Sequence, residues 1–212
     1  MRVARSGVRV VMLLLAAGTA GCASRGLRVQ EYILTSTPGD TAAPVPSASV
    51  DSVIGFGPID VPSYLRRPEI VSRGPGARLQ TRASERWGED LEAGFRRALA
   101  GDLVEHLLPS ARVILQPFPS ASQPSYAVAI QIQRFEPVMD EGVVELDALW
   151  VLTRGAQPPL AATALRLESI REPVTDTTTE ARVTAMSRAV EQLAARIATV
   201  VREALAQRSA AP

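Results

Sequence analysis

A run of period-two alternation in the second half of the chain constrains the fold most. From Ser125 to Pro137, Tyr126, Val128, Ile130 and Ile132 fall on one side, and Ala127, Ala129, Gln131 and Gln133 on the other. Successive strand residues point to opposite faces, so this segment is built to cover a core with one face. Two further strand candidates follow, Val143–Thr153 and Ala161–Arg171, and Arg112–Pro117 precedes it. Asp140-Glu141-Gly142 suits a tight hairpin and Gly155 to Pro159 a looser one, which implies an antiparallel meander. A meander needs something apolar on its inner face. The last segment supplies it: Val183, Met186, Val190, Leu193, Ile197, Val200 and Ala204 recur at helical spacing to about Gln207. Thr177 and Glu180 have the spacing of a capping box at its start.

An earlier helix is expected from about Glu85 to Leu107, with Ser84 as N-cap and Pro109 as its stop. Trp87, Leu91, Phe95, Ala98, Leu99 and Leu103 line one side of it. Before it come a strand at Val29–Thr35, a Pro-rich loop at Pro38–Ser49, and a strand at Ser52–Phe56 broken by Gly57-Pro58. Glu69–Ser72 reads as a short edge strand. The order predicts an α+β domain: a largely antiparallel or mixed sheet, two long helices on one face, and a polar opposite face.

The N-terminus carries a different message. Arg2, Arg5 and Arg9 lead an apolar run from Val10 to Ala17, and Gly18-Thr-Ala-Gly-Cys22 follows. The run has the length of a signal-peptide core and is far short of the ~20 residues of a spanning helix. Small residues before a lone cysteine suit cleavage and lipid attachment at Cys22, although Thr19 stands where a lipobox usually has Leu. An ordinary secretory signal and an uncleaved anchor are the other readings. A single cysteine cannot form an internal disulfide, which favours lipidation. The expected organisation is a signal peptide at 1–21, a lipidated tether at 22–27, a folded domain at 28–208 and a tail at 209–212. Cys22 would carry diacylglycerol and an N-acyl chain, with no other cofactor. The absence of Asp after Cys22 fits outer-membrane sorting better than inner-membrane retention.

Charge narrows the function. All 23 basic residues are arginine, and removal of the signal leaves 20 of them against 22 acids. No basic block is present, so nucleic acid is not the expected partner. With His106 and Cys22 the only residues of their types, no His/Cys metal site is expected. The absence of lysine removes a P-loop. No nucleophile–base set stands out, so no enzymatic activity is expected. Adjacent Asp140 and Glu141 read as a solvated turn, Trp87 and Trp150 as core aromatics, and His106 as a helix-end contact.

Several segments resemble one family. Gly57-Pro-Ile-Asp-Val-Pro-Ser-Tyr-Leu-Arg-Arg-Pro-Glu-Ile-Val-Ser-Arg73 is similar to the G-P-V-x-L-P-x-Y-L-D-R-P-Q-I-V-T-R stretch of the ABC-type transport auxiliary lipoproteins, the PqiC/YmbA family. Arg86-Trp-Gly-Glu-Asp-Leu91 resembles its R-W-A-E-P-L, and Tyr32-Ile-Leu34 its early Y-x-L. Gln133-Arg-Phe-Glu136 and Leu146-Asp-Ala-Leu-Trp150 resemble its hairpin strands. Arg66 departs from the family's Asp. The resemblance implies a periplasm-facing lipoprotein in an intermembrane lipid transport system. It would dock or tether an MCE-domain tunnel protein at the outer membrane, in some systems with an ABC transporter, and a tunnel-docking role would suit a homo-oligomer. The alternative is a lipoprotein that regulates an envelope-synthesis enzyme. Tyr64, Leu65, Arg67 and Arg73 are the candidate contact residues. Packing of Tyr64 and Leu65 onto the sheet is the plainer reading, and pairing of Arg67 and Arg73 with acids the plainer alternative to binding phosphate headgroups.

Overall fold

The computed structural model describes residues 28–36, 52–119, 123–155 and 162–210. The signal peptide, Cys22, the tether and the whole Pro-rich loop therefore lie outside the described residues. Eight strands and two α-helices are arranged in chain order. β1 is Gln30–Tyr32, β2 Val53–Asp60, β3 Glu69–Arg73 and β4 Leu79–Trp87. Helix α1, Leu91–Leu107, is followed by β5 Arg112–Leu115, β6 Tyr126–Val138, β7 Val143–Arg154, β8 Ala162–Pro173 and α2 Thr179–Ala210. A single 3-10 turn, Ser63–Leu65, joins β2 to β3.

The expected α+β architecture is the one observed. The long strand β6 organises the sheet. One of its edges pairs antiparallel with β7 over nearly its full length, and β7 pairs with β8 in the same sense. Its other edge is shared: β2 runs parallel to its first half, and β3 meets its end at Arg73–Val138. β4 then joins β3, and β1 joins β4. β3 is thus an interior strand, not the expected edge. The meander follows from sequence because β6–β7 turns at Gly142 with φ +63°, a conformation glycine adopts without penalty.

Both helices cover one face. Ile54, Phe56, Tyr126, Val128, Ile130, Leu146, Ala148, Trp150 and Leu152 are buried beneath them. α1 contributes Leu91, Phe95, Ala98, Leu99 and Leu103, each no more than 5% exposed. The Phe95 and Phe135 rings meet edge to face at 5.3 Å. α2 contributes Val183, Met186, Val190, Leu193, Ile197 and Ala204; Val201 is fully buried and Val200 only half so, which moves the stripe by one residue there. The Tyr126 hydroxyl donates to the Ala204 carbonyl at 3.1 Å and ties the end of α2 to the sheet.

Four local expectations are corrected. β2 does not stop at Gly57-Pro58 but continues to Asp60, with a register shift between Phe56 and Ile59 that absorbs the irregular dipeptide. Residues 79–87 form a strand, so Ser84 is no cap and Trp87 lies on β4, though still buried. The cap of α1 is Asp90, whose carboxylate accepts from the backbone N–H groups of Glu92 and Ala93. At α2 the capping side chain is Thr178, not Thr177: its hydroxyl accepts from Ala181 N–H at 3.1 Å, and Asp176 in turn accepts from Thr178 N–H at 2.6 Å. The Thr178 hydroxyl also donates to Asp176 Oδ1, and that bond, with the one from Thr178 N–H, holds the Asp176 carboxyl below its ordinary pKa.

Candidate functional site

The face of the sheet away from the helices was expected to be polar; it is divided instead. The division begins at Gln133. Ile132 points inward, a register shift lies between Ile132 and Arg134, and Phe135 points inward again. The bulge moves Glu136 to the outer face, opposite Glu145. Glu136 is nevertheless fully buried, because the segment from Tyr64 to Arg73 closes over it.

That closure is a clasp of three groups. The Tyr64 hydroxyl donates to Glu136 Oε2 at 2.6 Å. Arg73 donates from Nε at 2.8 Å and from Nη2 at 2.5 Å to Glu136 Oε1. The backbone N–H of Phe135 donates to Oε2 at 3.1 Å. A buried carboxylate requires this density of donors, since an unpaired one is strongly disfavoured. Burial, then the hydrogen bond to Glu136, push the Tyr64 phenol well above its ordinary pKa, so it remains a donor. Outward from the clasp the pairs continue: Arg134 bonds Glu145, Arg171 bonds both Glu141 and Glu145, and the Ser169 hydroxyl donates to Asp147 at 2.7 Å. Arg134 and Arg171 are each raised in pKa, chiefly by these carboxylate hydrogen bonds.

Of the four contact candidates, the structure brings Tyr64 and Arg73 together on Glu136. Leu65 is 2% exposed and packs in the core. Arg67 is exposed and its side chain has no partner among the described residues. Arg66, the departure from the family pattern, makes its own connection: Nη2 to Asp60 Oδ1 at 2.5 Å and Nε to the Val61 carbonyl at 2.9 Å. Glu136 is the residue sequence reasoning missed. Its signal was the break in alternation, where Phe135 and not Arg134 continues the apolar side.

Farther along the same face the character changes. Leu149 and Val151 on β7 are half-buried, and on β8 Leu165 is 58% and Leu167 67% exposed. The register places Leu149 beside Leu167 and Val151 beside Leu165, so the four form one apolar surface. Near β2 this face is screened by Phe118, whose ring would stand 2.6 Å from any Cβ at Gly55. Among the described residues no helix is long and apolar enough to cross a membrane.

The family model for the ABC-type transport auxiliary lipoprotein component matches residues 32–198. The chain belongs to that family. The match runs from the last residue of β1 through most of α2, including the clasp and the apolar surface. Membership makes the protein an auxiliary lipoprotein of ABC-type transport in the cell envelope, acting with a membrane-associated partner. Solved structures show the same fold. Protein XCC0632 from Xanthomonas campestris is 16% identical, covers 85% of this chain and 99% of its own, and superposes with a TM-score of 0.64. An uncharacterized protein is 19% identical over 72% of this chain and 93% of its own, with a TM-score of 0.62. No curated protein matches the chain.

Proposed function

We propose that this protein is a non-catalytic docking subunit of an intermembrane lipid transport system. It is anchored by acyl chains on Cys22 at the periplasmic side of the outer membrane and engages an MCE-domain tunnel protein. The observation that carries the reading is the family match over residues 32–198. The lipobox-like sequence ending at Cys22 supports the anchor. The exposed Leu149–Val151–Leu165–Leu167 surface supports docking, because a contiguous apolar patch beside a polar margin is the usual form of a protein contact.

Affinity purification of the full chain from crosslinked native envelopes tests this. Recovery of an MCE-domain protein is the expected result. Recovery of an envelope-synthesis enzyme in its place would move the protein to a regulatory role.

A further inference from the structure

Where the β6–β7 hairpin meets the start of α2, the fold buries a guanidinium with too few acceptors. Arg182 is 5% exposed. Its Nη2 donates to the Thr179 hydroxyl at 2.5 Å and faces Glu85 Oε2 at 3.5 Å. Glu85 is shared, because its other oxygen accepts from Arg82 at 3.0 Å. The Arg182 Nη1 group has only the Met139 thioether, at 3.5 Å, and sulfur is a weak acceptor. Its Nε has no partner among the described residues. A buried cation ordinarily has its donors met by oxygen.

Two cavities flank this side chain, and both are lined by Met139 and Arg182. The larger, about 400 Å³, has polar walls that include Ser72, Gln80 and Thr81, with Arg82 and Glu85 as its other charges. The smaller, about 190 Å³, is walled mainly by Pro137, Val138, Val143 and Val174, with Asp176 at its margin. In the polar cavity two arginines face Glu85, and Asp176 is the second carboxylate near Arg182, so the charges balance; what remains unmet is the Arg182 Nη1 and Nε donors, which call for an oxygen acceptor. Met139 is 39% exposed, and its unbranched side chain can swing aside to admit an oxygen at Nη1.

We infer that this paired cavity binds a monoanionic amphiphile, its oxyanion head on Arg182 and Arg82 and its alkyl chain among Pro137, Val138, Val143 and Val174. A carboxylate and a phosphodiester share the required chemistry. A cationic head of the same chain length offers the Arg182 donors no acceptor. The inference does not rest on the docking role and stands or falls without it.

The test is photo-crosslinking of the full chain in native membranes. The probe is an alkyl carboxylate with a diazirine near the chain end. Labelling is expected within 137–143 and 174–177, competed by decanoate or by dihexanoylphosphatidylglycerol but not by decyltrimethylammonium. Stronger competition by decanoate assigns the head as carboxylate, and stronger competition by the phospholipid assigns it as phosphodiester. Arg182→Gln should abolish labelling. Because that side chain is buried, the exposed Arg82→Glu provides a second variant that leaves the fold intact, and it should cut labelling about tenfold. Labelling elsewhere on the chain, unchanged labelling of Arg82→Glu, or equal competition by the cation would overturn the inference.

Discussion

The two ends of the outer sheet face are built from the same three strands, yet one is closed and the other open. At the closed end Glu136 is buried under Tyr64 and Arg73, and Glu145 is shared by Arg134 and Arg171. At the open end Leu165 and Leu167 face solvent beside Leu149 and Val151. Polar residues are covered where coverage is costly, and apolar residues are exposed where coverage would be favourable. A fold optimised for stability alone would do the reverse. The difference fits the proposed function, in which the closed end is architecture and the open end is the docking surface.

The largest way to break this contrast is Glu136→Ala. It leaves the Arg73 guanidinium and the Tyr64 hydroxyl without their acceptor, and urea unfolding should show a loss of about 3 kcal/mol. Tyr64→Phe removes one donor and keeps the ring, so a loss of about 1 kcal/mol is expected by the same measurement. At the open end, Leu165→Glu with Leu167→Glu should shift stability by no more than about 0.5 kcal/mol while removing partner recovery from envelopes. Equal destabilisation at the two ends would remove the distinction between them.

A pH titration sharpens the closed end further. The Tyr64 phenol has a raised pKa in the folded protein, so the folded state holds its proton where the unfolded chain, near pH 10, releases it. The contribution is therefore fully present below about pH 10 and is lost as pH rises through the folded value. Tyrosinate absorbance should show Tyr64 ionising together with unfolding. In the Tyr64→Phe variant the alkaline loss of stability should shrink.

Much of this fold was legible in the sequence because periodicity reports burial. The alternation of Tyr126 to Ile132 and the helical stripe from Val183 to Ala204 both mark faces pressed against a core. β4 was not legible for the same reason. Its first five residues, Leu79 to Ala83, are exposed, so nothing selects an alternating pattern, and its Arg and Glu content resembles the start of a helix. Trp87 added to the confusion by falling at helical spacing from Leu91. The contact candidates were found by resemblance, which marks that a segment matters but not why. The bulge at Gln133 decides that question by turning Glu136 outward beneath Tyr64 and Arg73. The exposed leucines of β8 were hidden because their alternation with Arg166 and Glu168 looks like that of any half-buried strand; only the placement of the helices on the other side shows which residues face out.

The most direct test of the account places a photo-crosslinking residue at one end of the outer face or the other in cells. At position 167 it should capture an MCE-domain protein, and at position 134, within the ion-paired end, capture should be weak or absent. Capture at 134 with none at 167 would contradict the assignment of the open end as the docking surface.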